Sequence, residues 1–244
     1  MLAAARATAL LGWVIYCVAA HLITLALRGR SRWPPHFLSG CARICGADVR
    51  ATGAPVAPHT LLISNHVSWL DIFVLASATR CSFVSKAELG DNRIVRWLAD
   101  QNATLYIRRA DRRAIGDQVS EVAAALSERD QPLAIFPEGT IGTGSRLLPF
   151  RPSLLAAAAP PPANVTVRPV ALDYGAVFPE LSWEDGEHGI ANAVRLLGRR
   201  GRFPVTVRVL DPLPPTGDRK VLARQAFDSV AAALAPSGIV PAAL

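Results

Sequence analysis

A long apolar segment near the N-terminus is the feature that most limits how this chain can fold. From Ala7 to Leu27 no residue carries a formal charge, and as an α-helix rising about 1.5 Å per residue the segment would be roughly 31 Å long. The hydrocarbon core of a bilayer is about 30 Å thick, so such a helix is long enough to cross it. The sequence therefore predicts an N-terminal membrane-anchoring helix, which either spans the bilayer or lies in one leaflet.

The basic residues on the two sides of this segment are unequal in number. Arg6 precedes it, whereas Arg28, Arg30 and Arg32 follow it. Positively charged flanks of membrane helices are retained in the cytoplasm, so we expect a cell inner membrane protein whose remaining chain lies on the cytoplasmic side. A secretory signal peptide is the alternative interpretation, but the segment continues directly into these arginines without an A-x-A-like cleavage site.

The overall composition excludes a disordered chain and makes nucleic acid a poor candidate partner. Hydrophobic residues make up 51% of the 244 residues and charged residues only 18%, which is typical of a chain with a sizeable folded core. The net charge of +7 indicates attraction to polyanions. Because the arginines occur in short clusters without interleaved aromatic residues, an anionic membrane surface fits this charge better than nucleic acid.

The four cysteines, Cys17, Cys41, Cys45 and Cys81, are predicted to be free thiols. They contain no C-x-x-C pair, and no histidine lies at zinc-finger spacing from them, so no metal site is expected. Unpaired cysteines of this kind are usually small buried or lipid-facing residues, which agrees with a reducing, cytosolic-side location.

Beyond residue 46 the sequence alternates between strand-like and helix-like segments. Before that point, the prolines at positions 34 and 35 are predicted to end the first helix, and residues 37–45 to form a second short one. We therefore expect an anchoring helix or helical hairpin over residues 1–46, and one α/β domain, a mixed sheet covered by helices, over residues 47–244. The predicted elements of that domain are strands at 60–64, 82–85, 104–107, 133–136, 165–174 and 205–210, and helices from 68, at 94–99, from 117 and at 218–234.

The segment NHVSWLD, residues 65–71, places a histidine at the end of a predicted strand and an aspartate five residues later in the first turns of a helix. At that spacing the side chains of His66 and Asp71 can meet. A neutral imidazole can accept a proton from a hydroxyl near pH 7, and a carboxylate on its other nitrogen fixes the tautomer and stabilises the imidazolium. The spacing by itself is common, and a turn histidine beside a capping aspartate is the alternative interpretation.

A further candidate site residue, Glu138, lies in the sequence FPEGT at residues 136–140. The proline and glycine favour a tight turn at the end of a predicted strand, which would present Glu138 and the amides of Gly139 and Thr140 at the edge of the sheet. The glycines here match neither a Walker nor a Rossmann phosphate loop, so nucleotide binding is rejected. A G-x-S-x-G elbow is also absent, which argues against a serine hydrolase of the α/β-hydrolase type.

Taken together, these motifs resemble the glycerophospholipid acyltransferase family, and in particular the bacterial 1-acylglycerol-3-phosphate acyltransferases, over roughly residues 61–174. The family motif NHxxxxD matches residues 65–71, and FPEG matches residues 136–139, about 70 residues later. The motif GxxFIxR matches less well, because Ala103 stands in place of its glycine while its arginine falls on Arg109. Two further segments are similar to segments of the family, at residues 83–89 and 167–171.

The resemblance implies a glycerolipid acyltransferase fold and a role for each matched residue. His66 would be the general base that deprotonates the acceptor hydroxyl for direct attack on an acyl thioester, with Asp71 orienting it. Arg109 and Glu138 would help to hold the glycerol phosphate, because a guanidinium pairs with phosphate and a carboxylate can brace it. Two more residues are implied as substrate-binding, Gly139 in the turn and Lys86 as a further phosphate ligand.

The implied activity is transfer of a fatty acyl group from acyl-CoA or acyl-carrier protein to lysophosphatidic acid, which forms phosphatidic acid without a cofactor. Acylation of another lyso-lipid, such as a lyso-ornithine lipid, is the alternative, because the motifs report acyl transfer and not the head group. Many family members carry a basic residue soon after FPEGT, where this chain has Ile141 and Gly142, so acceptor choice can differ accordingly.

Two other classes of function are weighed against the transferase. A non-catalytic membrane-surface protein would use only the apolar N-terminus and the basic clusters, and the intact His66, Asp71 and Glu138 argue against it. A lipid hydrolase that uses His66 to activate water would need a site open to water, and the sequence offers neither a metal-ligand set nor a serine nucleophile.

Overall fold

The structure is a computed structural model that describes residues 1–107, 115–141, 146–183 and 187–242. The helices in these residues are α1 (Leu2–Arg28), α2 (Trp33–Ile44), α3 (Asp71–Thr79), α4 (Arg93–Gln101), α5 (Ile115–Glu128), α6 (Phe178–Leu181), α7 (Gly189–Gly198) and α8 (Arg219–Leu234). The strands are β1 (Ala47–Thr52), β2 (Thr60–Ser64), β3 (Ser82–Lys86), β4 (Leu105–Ile107), β5 (Leu133–Ile135), β6 (Arg146–Leu147), β7 (Thr166–Asp173), β8 (Phe203–Val209) and β9 (Val240–Pro241).

Seven of these strands form one mixed sheet in the order β1-β8-β7-β2-β5-β3-β4. β2 pairs in parallel with β7 on one side and with β5 on the other, and β5, β3 and β4 continue the parallel arrangement. β7 and β8 are antiparallel, while β1 is parallel to β8. The strands β7, β2, β5, β3 and β4 therefore run in one direction, and their carboxyl ends meet at the same edge of the sheet. The predicted mixed α/β sheet is confirmed.

The centre of the sheet is buried, and most residues of its strands are apolar. All five residues of β2 and seven of the eight residues of β7 are buried, as expected for strands whose two faces are both covered. α2 and α3 pack against each other and against β1, whereas α5 and α8 pack against a short 3-10 helix, Pro152–Ala158. All four cysteines are free and buried, as predicted.

The N-terminal segment is a helical hairpin, one of the two predicted arrangements. The indole of Trp13 on α1 donates a hydrogen bond to the carbonyl of Phe37 on α2 at 3.0 Å. A Cβ atom added to Gly40 would lie 2.2 Å from the Trp13 ring, so this close contact requires glycine. α2 also contributes Leu38 and Ala42 to the hydrophobic core, so the hairpin is continuous with the domain.

The prediction that the prolines end the first helix is wrong. α1 ends at Arg28, where Gly29 adopts a left-handed conformation with φ of 64°. Pro34 and Pro35 instead lie in the first turn of α2. Proline is tolerated there because the first amides of a helix have no acceptor within the helix, so its missing N–H costs nothing.

Most predicted boundaries in the domain agree with the structure to within two residues. Among the longer elements β1 and α7 are missing from the prediction, and so are the short elements α6, β6 and β9. β1 is an edge strand with mostly exposed polar residues, so it lacks the apolar pattern of a buried strand. α7, with the sequence GIANAVRLLG, contains two glycines, an asparagine and two β-branched residues, which have low helix propensity, so tertiary packing must stabilise this helix.

Candidate active site

The carboxyl-terminal edge of the sheet brings together residues that are distant in sequence. β2 leads into His66, β5 leads into Phe136 and Glu138, and β7 leads into Tyr174. β3, two strands away from β2, ends at Lys86. In α/β sheets, ligands bind outside the carboxyl ends of the strands, so this edge is the candidate active site.

His66 and Asp71 make the contact that their spacing predicts. Nδ1 of His66 lies 2.8 Å from Oδ2 of Asp71, whose side chain is fully buried, whereas the imidazole remains 16% exposed. Because the carboxylate accepts the Nδ1 proton, the other ring nitrogen, Nε2, is the basic atom of the neutral ring. Within the described residues, Nε2 has no hydrogen-bond partner, so it is free to accept a proton from a ligand.

Asp71 is held by three further donors. Its Oδ2 accepts the backbone amides of Val67 at 2.6 Å and Ser68 at 2.9 Å, and its Oδ1 accepts the hydroxyl of Tyr174 at 2.5 Å. Burial, together with the charge of Asp71, raises the pKa of Tyr174 well above its usual range, so the phenol stays protonated and donates. Because residues 67 and 68 turn their amides toward this carboxylate, α3 begins at Asp71, and the predicted start at Ser68 is wrong.

Asn65, the first residue of the NHxxxxD motif, connects the two central strands below His66. Its amide nitrogen donates to the carbonyl of Leu172 at 3.1 Å, and its Oδ1 accepts the amide of the same residue at 2.8 Å. Asn65 is almost fully buried, so both bonds are shielded from water. The side chain therefore replaces the ladder hydrogen bonds that β2 no longer makes once it turns away from β7.

Glu138 lies beside His66 with only 3% of its surface exposed. Its Oε1 accepts the backbone amide of His66 at 2.6 Å, and its Oε2 accepts the amide of Leu148 at 3.1 Å. Burial raises the pKa of Glu138 to about 8, while the two backbone amides act in the opposite direction. In this structure Glu138 fixes the backbone of the His66 turn, and its predicted contact with the acceptor stays a prediction.

Aromatic stacking fixes the plane of the imidazole. The ring of His66 stacks on Phe136, with ring centroids 4.3 Å apart and an angle of 15° between the planes. Phe136 in turn stacks on Phe83, with centroids 6.1 Å apart. One face of the imidazole is therefore covered, and a ligand can reach Nε2 only from the remaining sides.

A polar network anchors the turn that carries His66 to α7. The indole nitrogen of Trp69 donates to Oδ1 of Asn192 at 2.9 Å, and the amide of Asn192, which is fully buried, donates to Glu187 at 2.8 Å. Arg195 pairs with both oxygens of Glu187, at 2.8 and 2.7 Å. Such a network in a poorly solvated position restrains its members more strongly than separate bonds would.

The other predicted site residues differ in what the structure describes of them. Lys86 is exposed at the carboxyl end of β3, on the same sheet edge as His66. Gly139 has φ of 76°, and its amide donates to the carbonyl of Phe136 at 3.2 Å, which closes the turn. Arg109 lies outside the described residues. Among the residues that the structure describes, no group of three His, Cys, Asp or Glu side chains could hold a metal ion.

A cavity of about 350 Å³ adjoins the FPEGT turn, between α5 and the 3-10 helix Pro152–Ala158. Its volume falls in the range of small-molecule sites, about 300–1,000 Å³. Arg151 connects it to the turn, because its amide donates to the carbonyl of Pro137 at 2.9 Å and its side chain packs against Gly139. The lining is mainly apolar and includes Val84, Val119, Val122, Ile135, Leu154 and Ala157, with Arg151 and Arg219 as cationic residues.

A model of the acyltransferase family matches residues 48–173, just over half of the chain, and this range contains both motifs of the candidate site. The chain belongs to the acyltransferase family. It is therefore an enzyme that transfers acyl groups, as the motifs predict.

Known proteins similar to this acyltransferase include the lyso-ornithine lipid O-acyltransferase of Pseudomonas aeruginosa, 37% identical over 79% of this chain and 76% of that protein. The 1-acyl-sn-glycerol-3-phosphate acyltransferase of Neisseria gonorrhoeae is 34% identical over 50% of this chain and 47% of that protein. The crystal structure of the 1-acyl-sn-glycerophosphate acyltransferase of Thermotoga maritima matches 95% of this chain and 97% of that one with a TM-score of 0.62, at 18% identity. This likeness confirms the predicted fold of the acyltransferase.

Two residues of the acyltransferase site are not identified by the sequence analysis. Tyr174 is predicted only as the last residue of a strand, although that position places it at the same sheet edge as His66, which is the one signal available. Asn192 lies in α7, which the sequence does not predict, and nothing in its neighbours connects it to Trp69. Tyr174 contacts Asp71 and Asn192 contacts Trp69, and the two residues of each pair are more than 100 positions apart in the sequence.

Proposed function

We propose that this acyltransferase transfers a fatty acyl group from an acyl thioester to the free hydroxyl of a lyso-ornithine lipid. The observation that carries the proposal is the bond between the buried Asp71 and Nδ1 of His66, which leaves Nε2 of a partly exposed imidazole as the base. The donor is acyl-CoA or acyl-carrier protein, and the residues of the site take part without a cofactor.

The reaction proceeds by direct transfer between the two substrates. Nε2 of His66 removes the proton of the acceptor hydroxyl as its oxygen attacks the thioester carbonyl carbon. The C–S bond then breaks, and the leaving thiolate takes the proton from the imidazolium, which restores the neutral ring. Asp71 stabilises the imidazolium in between, and Tyr174 and two backbone amides keep the carboxylate in place.

The choice of lyso-ornithine lipid rests on two observations. The similarity to the Pseudomonas aeruginosa enzyme extends over much more of the chain than the similarity to the Neisseria gonorrhoeae enzyme. In addition, Ile141 follows FPEGT at the position where many family members have a basic residue. An ornithine head group is a zwitterion that carries its own ammonium, so it needs less cationic charge from the protein than a phosphate does.

Lysophosphatidic acid is the second candidate acceptor. Two exposed cationic residues can pair with a phosphate: Lys86 lies at the sheet edge that carries His66, and Arg146 on β6 lines the same small pocket as His66. The chain is also similar, over a shorter range, to the Neisseria gonorrhoeae enzyme, which is named for acyl transfer to 1-acyl-sn-glycerol-3-phosphate. Turnover must therefore be measured with both lipids in parallel to identify the acceptor.

The enzyme acts at a membrane with an anionic surface. α1 is apolar enough to enter a bilayer, with a mean hydropathy of 2.1 over its most apolar 18 residues. An open groove of about 1,130 Å³ between α1 and α2 is lined by Arg28, Arg30, Arg32 and Arg43, together with aromatic rings. Because the first 47 residues contain no acidic residue, these arginines are available to anionic head groups.

We infer further that α1 lies in one leaflet on the cytoplasmic side of the cell inner membrane. Near its start, the Arg6 guanidinium donates to the carbonyls of Leu197, Arg199 and Gly201. About four turns later, Nε2 of His21 lies 2.9 Å from Oε1 of Gln101 on α4. A helix that crossed the bilayer would carry one of these ends away from the domain, so both contacts favour a helix that runs along it.

The test is thioester consumption by purified enzyme in detergent, with acyl-CoA or acyl-carrier protein as donor and lyso-ornithine lipid or lysophosphatidic acid as acceptor. His66→Ala should lower kcat by about a thousandfold, because the general base is lost. His188→Ala is the matched control, since this exposed histidine lies outside the site and should keep full activity.

Each outcome has a distinct meaning. Acylation of lyso-ornithine lipid that depends on His66 supports the proposal, whereas turnover of lysophosphatidic acid alone moves the acceptor to the second candidate. Release of free fatty acid without an acylated lipid would identify a hydrolase. Equal turnover by the wild type and His66→Ala would contradict the mechanism.

A further inference from the structure

The outward face of α7 is apolar. Ile190 and Val194, one helical turn apart, are 82% and 55% exposed, whereas Asn192 and Leu196 on the opposite face are buried. A helix on the surface of a soluble domain normally presents polar or charged side chains to water. The remaining exposed positions of this helix and its N-cap carry no permanent charge: His188, Gly189, Ala191 and Gly198.

The C-terminal end of α7 touches the start of α1, the apolar helix of the N-terminal hairpin. The contacts of Arg6 with the carbonyls of Leu197 and Arg199 hold the start of α1 at the C-terminal end of α7. A Cβ atom added to Gly198 would lie 3.8 Å from the Cβ of Ala3, so the two helices touch. α1 exposes large apolar side chains along most of its length, including Leu11, Ile15, Leu22, Ile23 and Leu27.

The charges within α7 and at its C-terminal end are arranged as in an interfacial helix. Arg195, the one charged residue of this helix, turns inward to pair with Glu187. Arg200, just beyond the C-terminal end, is exposed. A helix that lies at the boundary of head groups and acyl chains presents apolar residues to the lipid and basic residues at its margin, and α7 has both.

We propose that α7 is a second membrane-contacting helix, which inserts Ile190 and Val194 into the lipid leaflet that holds α1. The occupant of this face is a bilayer, because α7 packs against α1, whose own exposed surface is apolar, and the face has no charge of its own. The inference rests on the membrane association of α1 proposed above. Since Asn192 on the inward face of the same helix holds Trp69, contact with lipid also keeps the His66 turn at the surface where a lyso-lipid resides.

The test places an environment-sensitive fluorophore on the full-length enzyme through Ile190→Cys, with Val221→Cys on α8, which packs against β7 and the 3-10 helix Pro152–Ala158, as the matched control. Val221 is likewise an exposed apolar residue. The native thiols do not compete, since all four are buried and burial raises the pKa of Cys41, Cys45 and Cys81 to about 12. The probe is a vesicle of phosphatidylethanolamine and phosphatidylglycerol, with a spin-labelled lipid as quencher.

On vesicles, we expect a blue shift and quenching of the label at position 190 and no change at position 221. Protein that floats with vesicles while the label at 190 stays unchanged would overturn the role of α7 but leave the anchoring by α1 intact. Failure to float at all would overturn both. A change at 190 that follows protein concentration without lipid would assign the face to contact between two copies and refute lipid contact.

A second measurement uses the unlabelled enzyme. The double variant Ile190→Ser with Val194→Ser should bind vesicles about tenfold more weakly, because two apolar side chains no longer leave water on binding. Val221→Ser should bind as the wild type does. An unchanged partition coefficient in the double variant, with an unchanged thermal midpoint, would refute the proposal.

Discussion

At the residue scale, the site depends on how many donors surround one carboxylate. Asp71 accepts hydrogen bonds from the imidazole of His66, two backbone amides and the hydroxyl of Tyr174. Because the carboxylate is fully buried, water cannot replace any of these donors. The same side chain therefore orients the base, starts α3 and joins β2 to the end of β7.

This arrangement predicts that two substitutions lower kcat by different factors. Tyr174→Phe removes one donor and should lower kcat by about tenfold, which corresponds to the loss of one hydrogen bond to a charged group. Asp71→Asn removes the negative charge that stabilises the imidazolium and replaces one accepting oxygen by a donating N–H₂, so it should lower kcat by at least a hundredfold and also lower the thermal midpoint. Steady-state kinetics and thermal unfolding measure both effects, and equal losses in the two variants would contradict the assigned roles.

Glu138 predicts a pH dependence of stability. Burial raises the pKa of Glu138 from 4.5 to about 8, so the folded protein holds the proton more tightly than the unfolded chain does. The stability that this proton contributes is fully present below pH 4.5 and is lost as the pH rises toward 8. The free energy of unfolding of the wild type should therefore fall between these two pH values. Glu138→Gln cannot titrate and should lack that fall, although it is less stable overall because its amide faces a backbone donor. Denaturant unfolding across this pH range makes the comparison, and parallel curves would refute the prediction.

At the element scale, the turn between β2 and α3 is fixed from two sides. Glu138, from the turn after β5, holds the backbone of His66, and Asn192 on α7 holds the side chain of Trp69. The sequence shows the first of these only as two motifs about 70 residues apart, at residues 65–71 and 136–139, and it contains no sign of the second. The pairing depends on how α7 packs, which is a property of the assembled domain.

Asn192 is predicted to be a positioning residue. Asn192→Leu should lower kcat by about tenfold with little change in KM or in the pH profile, because the base is kept but its turn is less well fixed. The same substitution should have a much smaller effect in a Trp69→Phe background, which lacks the indole donor. A double-mutant cycle with both single variants measures this coupling, and additive effects would show that Asn192 does not act through Trp69.

At the scale of the whole molecule, the direction of the strands and the position of α1 determine where the candidate active site lies relative to the membrane. Five strands of the sheet direct their carboxyl ends to one edge, and α1 contacts the domain near both of its ends. In the proposed orientation the enzyme lies flat against one leaflet, with the groove of arginines between α1 and α2 at the level of the head groups.

This orientation predicts that both ends of α1 face the cytoplasm. A membrane-impermeant maleimide should label Leu2→Cys and Arg30→Cys in inverted membrane vesicles and should label neither in intact spheroplasts, because neither end crosses the bilayer. Both positions are exposed in the structure. Labelling of position 2 alone from the outside would show that α1 spans the membrane.

The sequence by itself determined the class of fold, most of the central strands and the pair of His66 and Asp71. These features depend on local apolar patterns and on a spacing of five residues, which short-range geometry controls. Only the tertiary structure decided that Tyr174 and Asn192 belong to the site, that Glu138 braces a backbone turn, and that α1 runs along the domain. These depend on contacts between residues far apart in the chain, because strand order and helix packing, which bring them together, leave no local pattern in the sequence.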